Sequence, residues 1–314
     1  MEVNDMIIEA RNIVKKYGNN TAVNSVNISV MEDEVLGFLG PNGAGKSTTL
    51  SCLLGLKKVD AGTIRVFGKD PKTARAEINR NIGYVPQDIA VFNELTAIDN
   101  VRFFGKLYGL RGKKLEVAVR EALEFTGLWD RRKELPPTFS GGMKRRLNIA
   151  CAIVHKPKLL IMDEPTVGVD PQSRNNILES IRKLNELGTT IIYTSHYMEE
   201  IQAICSRIII IDMGEVIAEG TKDSIIQQAI KEKRVFIELD GDVQAAADSL
   251  SANPNILSIT AEGNSIVITT DSGYNGMDFA RELTEGGYIV NSIISEQPNL
   301  ETAFLSLTGK KLRD

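Results

Sequence analysis

The sequence has few of the residues that build disulfide frameworks, metal centres or membrane spans. Its 314 residues include three cysteines and two histidines, and Cys52, Cys151 and Cys205 show neither CxxC nor Cys/His spacing. This argues against a disulfide framework and a zinc site, and it suits small buried thiols in a reducing compartment. The longest apolar runs, such as residues 208–211, are strand-sized, whereas a membrane-spanning helix needs roughly 18 or more residues.

The sequence also has no excess of positive charge. The 37 Lys and Arg against 41 Asp and Glu give a net charge of −4, and the basic clusters at 144–146 and 310–311 are short. We therefore expect no nucleic-acid partner. The first residues are acidic where a signal peptide needs basic ones, so none is expected. If the protein acts at a membrane, another chain must supply the span.

The order of apolar runs and turns predicts an α/β core over residues 6–221. Short strand-like runs alternate with turns up to about residue 67, and residues 97–132 and 141–156 show helical spacing. Three later runs are apolar on both faces, as in the strands of a buried parallel sheet. They are residues 158–162, 189–194 and 207–212.

Beyond the core, residues 222–233 are predicted to form a linker, largely helical, before a smaller domain over 234–314. The smaller domain has the order strand, helix, strand, strand, helix, strand, which predicts a ferredoxin-like α+β fold. The pair Gly263-Asn264 predicts the central hairpin, and Gly309 is placed to end a last helix.

The segment GPNGAGKST fits the phosphate-binding pattern G-x-x-x-x-G-K-[ST] and lies between a predicted strand and a predicted helix. Its backbone N–H groups and the helix dipole would face nucleotide phosphates, Lys46 would neutralise phosphate oxygens, and Ser47 would ligate Mg²⁺. All its residues are candidate nucleotide-binding residues: Gly40, Pro41, Asn42, Gly43, Ala44, Gly45, Lys46, Ser47 and Thr48.

Two adjacent carboxylates, Asp163 and Glu164, end the apolar run KLLIMDE. Ligands bind at this end of the strands in open α/β sheets, and buried carboxylates need a nearby cation. Asp163 fits a carboxylate of the Mg²⁺ shell, and Glu164 fits the group that polarises the attacking water. The alternative is an acidic pair at a helix N-terminus, before Pro165.

The segment FSGGM resembles the signature motif of ABC (ATP-binding-cassette) ATPases, which binds the γ-phosphate of ATP held by the other subunit. Here the motif residues are Ser140, Gly141 and Gly142, and they would again present a helix N-terminus to an anion. Alone, Ser-Gly-Gly is a common turn. The sequence departs from the commonest family pattern at Phe139 and Met143, which puts any polar contact at Met143 in doubt.

Further family motifs follow in the expected order, in the segments VPQD, VGVD and YTSH and at an upstream tyrosine. The resemblance implies that Tyr17 stacks on adenine and that Gln87 reaches the metal and the attacking water. It implies that Asp170 crosses a dimer interface and that His196 contacts the γ-phosphate. The simpler alternatives are an incidental Tyr17, a solvated Gln87, a helix-capping Asp170 before Pro171 and a His196 satisfied at a strand end.

The resemblance covers roughly residues 6–221. It implies a P-loop NTPase core of the ABC ATPase type, with an antiparallel N-terminal β-subdomain and a helical signature subdomain at about 88–156. The remaining histidine, His155, is expected only to complement a helix dipole at a C-terminus.

The segments FSGGMKRRLNIA and PNLETAFLSLTGKKLRD resemble those of bacterial exporters of the daunorubicin-resistance and sodium-export type. The function implied is that of the ATP-binding and ATP-hydrolysing subunit of an ABC transporter. Its partners would be a second copy or a paralogous cassette, and separate membrane permease subunits at the cytoplasmic face of the cell membrane. The alternative is a soluble ABC ATPase acting on ribosomes or DNA. The smaller domain would serve in dimerisation or subunit docking, or as a regulatory ligand-binding module.

Overall fold

A computed structural model of the protein describes residues 6–296 and 298–309. The chain divides into two compact units, with the boundary between Thr221 and Lys222. The predicted basic pair Lys310-Lys311 and the last residues of the predicted 234–314 domain lie outside the described residues.

The first unit contains two sheets. One is antiparallel, with strand order β2-β1-β4, and the other has the order β5-β6-β7-β3-β8-β9, with all neighbours parallel except the final antiparallel pair. The strands are β1 (Met6–Tyr17), β2 (Asn20–Met31), β3 (Val35–Leu39), β4 (Ala61–Val66), β5 (Ile82–Val85), β6 (Leu159–Asp163), β7 (Thr190–Ser195), β8 (Arg207–Asp212) and β9 (Glu215–Gly220).

The centre of the six-stranded sheet is buried on both faces. Every residue of β3, β6 and β7 is buried, which explains why these runs lack the alternation of a half-exposed strand. In the parallel register Leu39 pairs with Ser195, and Asp163 pairs with Thr194. The carboxyl ends of the three strands therefore meet at one edge of the sheet, where the phosphate-binding segment begins.

The helices of the first unit surround this sheet and form a separate helical segment between β5 and β6. Their bounds are α1 (Lys46–Leu53), α2 (Arg75–Asn79), α3 (Ala97–Leu107), α4 (Gly112–Phe125), α5 (Gly141–Ile153), α6 (Pro171–Glu186) and α7 (Met198–Ile204). The helical pattern predicted over 97–132 is split at Gly109, whose φ of +92° belongs to the left-handed region that ends helices.

The second unit has a four-stranded antiparallel sheet in the order β11-β12-β10-β13. With its helices the order is strand, helix, strand, strand, helix, strand, the topology of the predicted ferredoxin-like domain. The elements are α8 (Lys222–Ala229), β10 (Glu232–Asp240), α9 (Val243–Leu250), β11 (Ile256–Glu262), β12 (Ser265–Asp271), α10 (Met277–Glu285), β13 (Ile289–Ser295) and α11 (Leu300–Thr308).

The predicted linker over 222–233 is not a separate connection. Its helix, α8, belongs to the second unit and packs on α11, where the Ser306 hydroxyl donates to the carbonyl of Ala229 at 3.1 Å. Ile225 is fully buried, and β10 begins at Glu232. Because α8 buries an apolar side chain, it is held in place as part of a folded unit.

The cysteines are free, with Cys52 and Cys151 buried and Cys205 half-buried. Burial raises the pKa of both buried thiols, which keeps them protonated and unreactive. Among the described helices, none combines the length and the apolar character needed to cross a membrane.

Candidate active site

The phosphate-binding segment forms the turn between β3 and α1. At Gly45, φ is +104° and an added Cβ would lie 2.4 Å from the carbonyl oxygen of Ala22, so only glycine fits. The turn leads into the N-terminus of α1, whose first backbone N–H groups have no partner within the helix. The segment is therefore shaped to bind an anion.

Lys46 is buried in this turn, with 5% of its surface exposed. Its Nζ donates to the carbonyl of Gly40 at 2.6 Å and lies 3.2 Å from Oε1 of Glu164. A buried ammonium group is costly unless hydrogen bonds and an opposite charge surround it. The arrangement places the cation between the turn and the carboxylate predicted to act on water.

Asp163 is buried at the end of β6 and touches two hydroxyl groups. Ser47 Oγ donates to its Oδ1 at 3.2 Å, and Thr194 Oγ1 donates to the same oxygen at 2.7 Å. The structure thus brings together Ser47 and Asp163, which are distant in sequence. Carboxylate and hydroxyl oxygens are ligands that Mg²⁺ prefers, so these side chains fit the predicted metal position.

Glu164 has φ of +46°, a left-handed conformation that costs free energy in a residue other than glycine. Its N–H bonds to Oγ1 of Thr194 at 2.8 Å, which holds this backbone in place. Gln87 Nε2 donates to Oε2 of Glu164 at 3.3 Å, and His196 Nδ1 lies 3.4 Å from that oxygen. Two of the predicted catalytic side chains, Gln87 and His196, therefore contact the carboxylate of the third, Glu164.

The turn opens onto a cleft of about 400 Å³. Tyr17 lines the cleft and is 41% exposed, with Nζ of Lys57 and Nζ of Lys15 at 4.9 Å and 5.5 Å from its ring centroid. An exposed aromatic face suits stacking on a nucleotide base, and nearby cations suit the phosphates attached to it. Other residues lining the cleft are Asn20, Ala22, residues 41–48, Gln87 and Glu164.

The Ser140–Gly142 segment begins α5 and lies outside the lining of this cleft. Ser140 caps the helix by accepting from the N–H of Met143 at 3.2 Å. At Gly142 an added Cβ would lie 2.3 Å from Oγ of Ser173, so the close approach of α5 to the start of α6 requires glycine. Asp170, at that start, lies beside this segment in the same chain.

Asp170 caps α6, accepting from the N–H of Ser173 at 2.9 Å, and this bond lowers the pKa of its carboxyl group. Asp170 is therefore a helix cap before Pro171, as the simpler of the two sequence interpretations proposed. A contact of Asp170 across a dimer interface stays a prediction.

The sequence interpretation did not include a third buried carboxylate, that of Glu200. Its Oε2 accepts from the hydroxyls of Thr166, Tyr193 and Ser195, each at 2.8 Å, and its Oε1 lies 3.3 Å from Nε of Arg174. Burial and the neighbouring carboxylate raise the pKa of Tyr193 well above its usual value. The adjacent pair Glu199-Glu200 resembles acidic residues that complement a helix N-terminus, so composition alone gave no signal of burial.

His155 is not a dipole complement. Its ring stacks on Tyr108 with centroids 3.4 Å apart, and Nε2 donates to the carbonyl of Ile82 at 3.1 Å. Burial lowers the pKa of His155 to about 4, so the ring is neutral at neutral pH. The expectation that His155 only complements a helix dipole was wrong, because the sequence did not show that this position is covered.

A strand, a glycine-rich turn and a helix with a buried lysine, opposite an Asp-Glu pair at a neighbouring strand end, define a P-loop NTPase. Comparison with known proteins gives the family. The family model for ABC transporters matches residues 23–167.

A linearmycin resistance ATP-binding protein of Bacillus subtilis (strain 168) is 44% identical over 98% of this chain and 100% of its own. A daunorubicin/doxorubicin resistance ATP-binding protein of Streptomyces peucetius is 36% identical over 98% of this chain and 94% of its own. A Nod factor export ATP-binding protein of Sinorhizobium fredii (strain NBRC 101917 / NGR234) is 37% identical over 99% of this chain and 88% of its own.

Solved structures agree. An ATP-binding subunit of an ABC transporter superposes with a TM-score of 0.65 at 30% identity, covering 71% of this chain and 92% of that one. A dimeric ATP-binding cassette bound to ADP and Pi superposes with a TM-score of 0.63 at 28% identity, covering 68% of this chain and 98% of that one. The chain belongs to the ATP-binding subunits of ABC transporters, and it binds and hydrolyses ATP.

The predicted family, fold class and ATPase activity are thereby confirmed. The alternative of a soluble ATPase acting on ribosomes or DNA has no support among these relatives.

Proposed function

We propose that this chain drives an exporter by hydrolysing ATP at Glu164 within a dimer of cassettes. The observation that carries the proposal is the convergence of Lys46, Gln87 and His196 on the Glu164 carboxylate, at 3.2, 3.3 and 3.4 Å. The carboxylate lies on the lining of the cleft that the phosphate-binding turn opens onto.

Glu164 acts as the general base, accepting a proton from the water that attacks the γ-phosphate. Glu164 is buried, with 6% of the residue exposed, so few competing waters surround its carboxylate. Gln87 and His196 lie on the same side of this carboxylate and orient the attacking water. Positioning and charge stabilisation, rather than covalent chemistry, account for most of the catalysis in phosphoryl transfer.

Binding of ATP uses the turn and the open side of the cleft. The backbone of residues 40–48 and Lys46 hold the phosphates, and Tyr17 stacks on the adenine. Ser47, Asp163 and Gln87 would hold Mg²⁺, whose charge would offset that of the phosphates. The hydroxyl of Ser47 and the carboxylate of Asp163, 3.2 Å apart, support this assignment.

A second cassette completes the site. The Ser140–Gly142 segment offers a helix N-terminus to an anion, yet it does not line the cleft of its own chain. We infer that it contacts the γ-phosphate of ATP held by a second copy or by a paralogous cassette, with Asp170 crossing the same interface. One chain carries every component, so a homodimer would have two complete sites.

Separate membrane subunits supply the transport path and place this chain at the cytoplasmic face of the membrane. Support for export comes from relatives that match nearly the whole chain and whose names describe drug resistance or Nod factor export. By analogy the cargo is a small organic compound.

The test is hydrolysis by the Glu164→Gln variant of the full chain. We expect kcat to fall by about 10²–10⁴-fold, because loss of the general base removes a contribution of that size. The matched control is Glu199→Gln, the same change at an exposed residue of α7, which should leave kcat unchanged. Wild-type turnover by Glu164→Gln would show that another group accepts the proton.

A further inference from the structure

Arg145 is a buried cation to which the proposed chemistry gives no role. It lies on α5 with 3% of its surface exposed. Its guanidinium donates to the backbone carbonyl of Pro86 at 2.7 Å and to that of Gln87 at 2.5 Å. Burial lowers the pKa of this guanidinium, and the charge of Asp88 offsets part of that effect. A buried guanidinium keeps its charge, so these hydrogen bonds are needed to compensate its desolvation.

The two carbonyls belong to the loop that presents the Gln87 side chain to Glu164. Arg145 lies on α5, the helix that begins with the Ser140–Gly142 segment, and its hydrogen bonds connect that helix to this loop. A planar guanidinium that bonds two acceptors at once restricts rotation as well as distance, which a lysine cannot do. Arg145 lies within about one helical turn of Gly142 on α5, so a displacement of the helix N-terminus also displaces Arg145.

We propose that Arg145 is a positioning residue that makes the Ser140–Gly142 segment and the Gln87 loop move as one body. This inference rests on the proposed function, in which that segment contacts ATP held by the second cassette. Nucleotide on the partner then sets the position of α5, and α5 sets the position of Gln87 beside Glu164. The two ATP sites of a dimer are thus coupled through one side chain in each chain.

The test compares two identical substitutions on neighbouring residues of α5. Arg145→Lys removes the bond to at least one carbonyl of the loop. Arg146→Lys changes a guanidinium that donates instead to the carbonyl of Thr126 at 3.0 Å, on another part of the helical segment. We expect kcat of Arg145→Lys to fall about tenfold with the KM for ATP within about twofold, since small displacements of a positioned group cost that much or more.

The control Arg146→Lys should match the wild type in both constants. Equal kcat in the two lysine variants would overturn the proposal, as would a loss confined to the KM. The midpoint of thermal unfolding is recorded for each variant, so that a fall in kcat is compared at equal folded fraction. If Arg145→Lys does not fold, Arg145→Met replaces it, because a neutral side chain leaves no unpaired charge buried.

A double-mutant cycle separates positioning from a general structural role. If Arg145 acts through Gln87, Arg145→Lys should lower the single-turnover rate constant for hydrolysis no further in a Gln87→Ala background. An equal fractional loss in both backgrounds would show that Arg145 acts elsewhere. Failure of the proposed function is seen separately, as wild-type turnover by Glu164→Gln, whatever the Arg145 variants do.

Discussion

The two units of this chain bury different kinds of side chain. In the first, the described core includes five charged residues: Lys46, Arg145, Asp163, Glu164 and Glu200. In the second, the only buried polar residue among those described is Thr270, and the core consists of aliphatic and aromatic side chains. Since buried charges cost free energy, their concentration in one unit marks where the chemistry occurs. The second unit is held by packing and presents its charges to solvent.

The largest predicted contrast concerns buried and exposed glutamates. Glu200→Ala leaves three buried hydroxyls and Arg174 without their acceptor, and we expect it to lower the free energy of unfolding by about 3–5 kcal/mol. Glu238→Ala removes an exposed carboxylate of the second unit that accepts from Ser292 at 3.1 Å, and we expect a change within about 0.5 kcal/mol. Urea unfolding measures both, and similar values would contradict the account of the buried network.

The next contrast is in pH dependence. The histidines of the chain, His155 and His196, both lie in the first unit. The pKa of His155 is about 4 when folded, against 6.5 for an unperturbed histidine. The unfolded chain therefore binds more protons between these pH values, so stability is retained above pH 6.5 and lost as the pH falls toward 4.

We expect this histidine to account for a loss of at most about 3 kcal/mol of unfolding free energy across that window. His155→Phe keeps the stack on Tyr108 but cannot be protonated, so its stability should fall less steeply over the same window. Native-state hydrogen exchange, read by peptide, should place the wild-type loss in the first unit. An unchanged pH dependence in His155→Phe would show that other groups cause it.

The smallest contrast uses two matched helix caps. Asp170 accepts from the N–H of Ser173 at 2.9 Å at the start of α6, and Asp242 accepts from that of Ala245 at 3.0 Å at the start of α9. Replacing either with Ala should lower stability by a similar small amount, because each change removes one helix cap. Only Asp170→Ala should also lower ATP turnover per folded chain, because only Asp170 lies beside Gly142. Equal turnover in the two variants would leave Asp170 as a cap and nothing more.

Much of the fold was predictable because its signals are local. The three runs that are apolar on both faces predicted β6, β7 and β8, and the βαββαβ order with a Gly263-Asn264 turn predicted the second sheet. The strand β5 and the helix α2 have four and five residues, too few for a periodic pattern to stand out. The packing of α8 on α11 was not predicted, because these two helices are far apart in the sequence.

The candidate site divides in the same way. Lys46, Asp163 and Glu164 were predicted because their motifs place chemistry at a strand end. Arg145 and Glu200 were not, since each acts through contacts to segments distant in sequence or to backbone carbonyls, which leave no pattern in the sequence. The Lys144-Arg145-Arg146 cluster looks like solvated charge, yet Arg145 is buried and Arg146 half-buried.

The measurement that tests the central claim most directly is the mass of the Glu164→Gln chain by size-exclusion chromatography with light scattering, in ATP and in ADP. The account predicts a dimer with ATP and a monomer with ADP. It also predicts that adding Gly141→Asp abolishes the ATP-dependent dimer, because a carboxylate would face the phosphate and the nearest atom to an added Cβ is 3.6 Å away. A monomer with ATP, or a dimer that survives Gly141→Asp, would contradict a sandwich in which Ser140–Gly142 binds the partner's ATP.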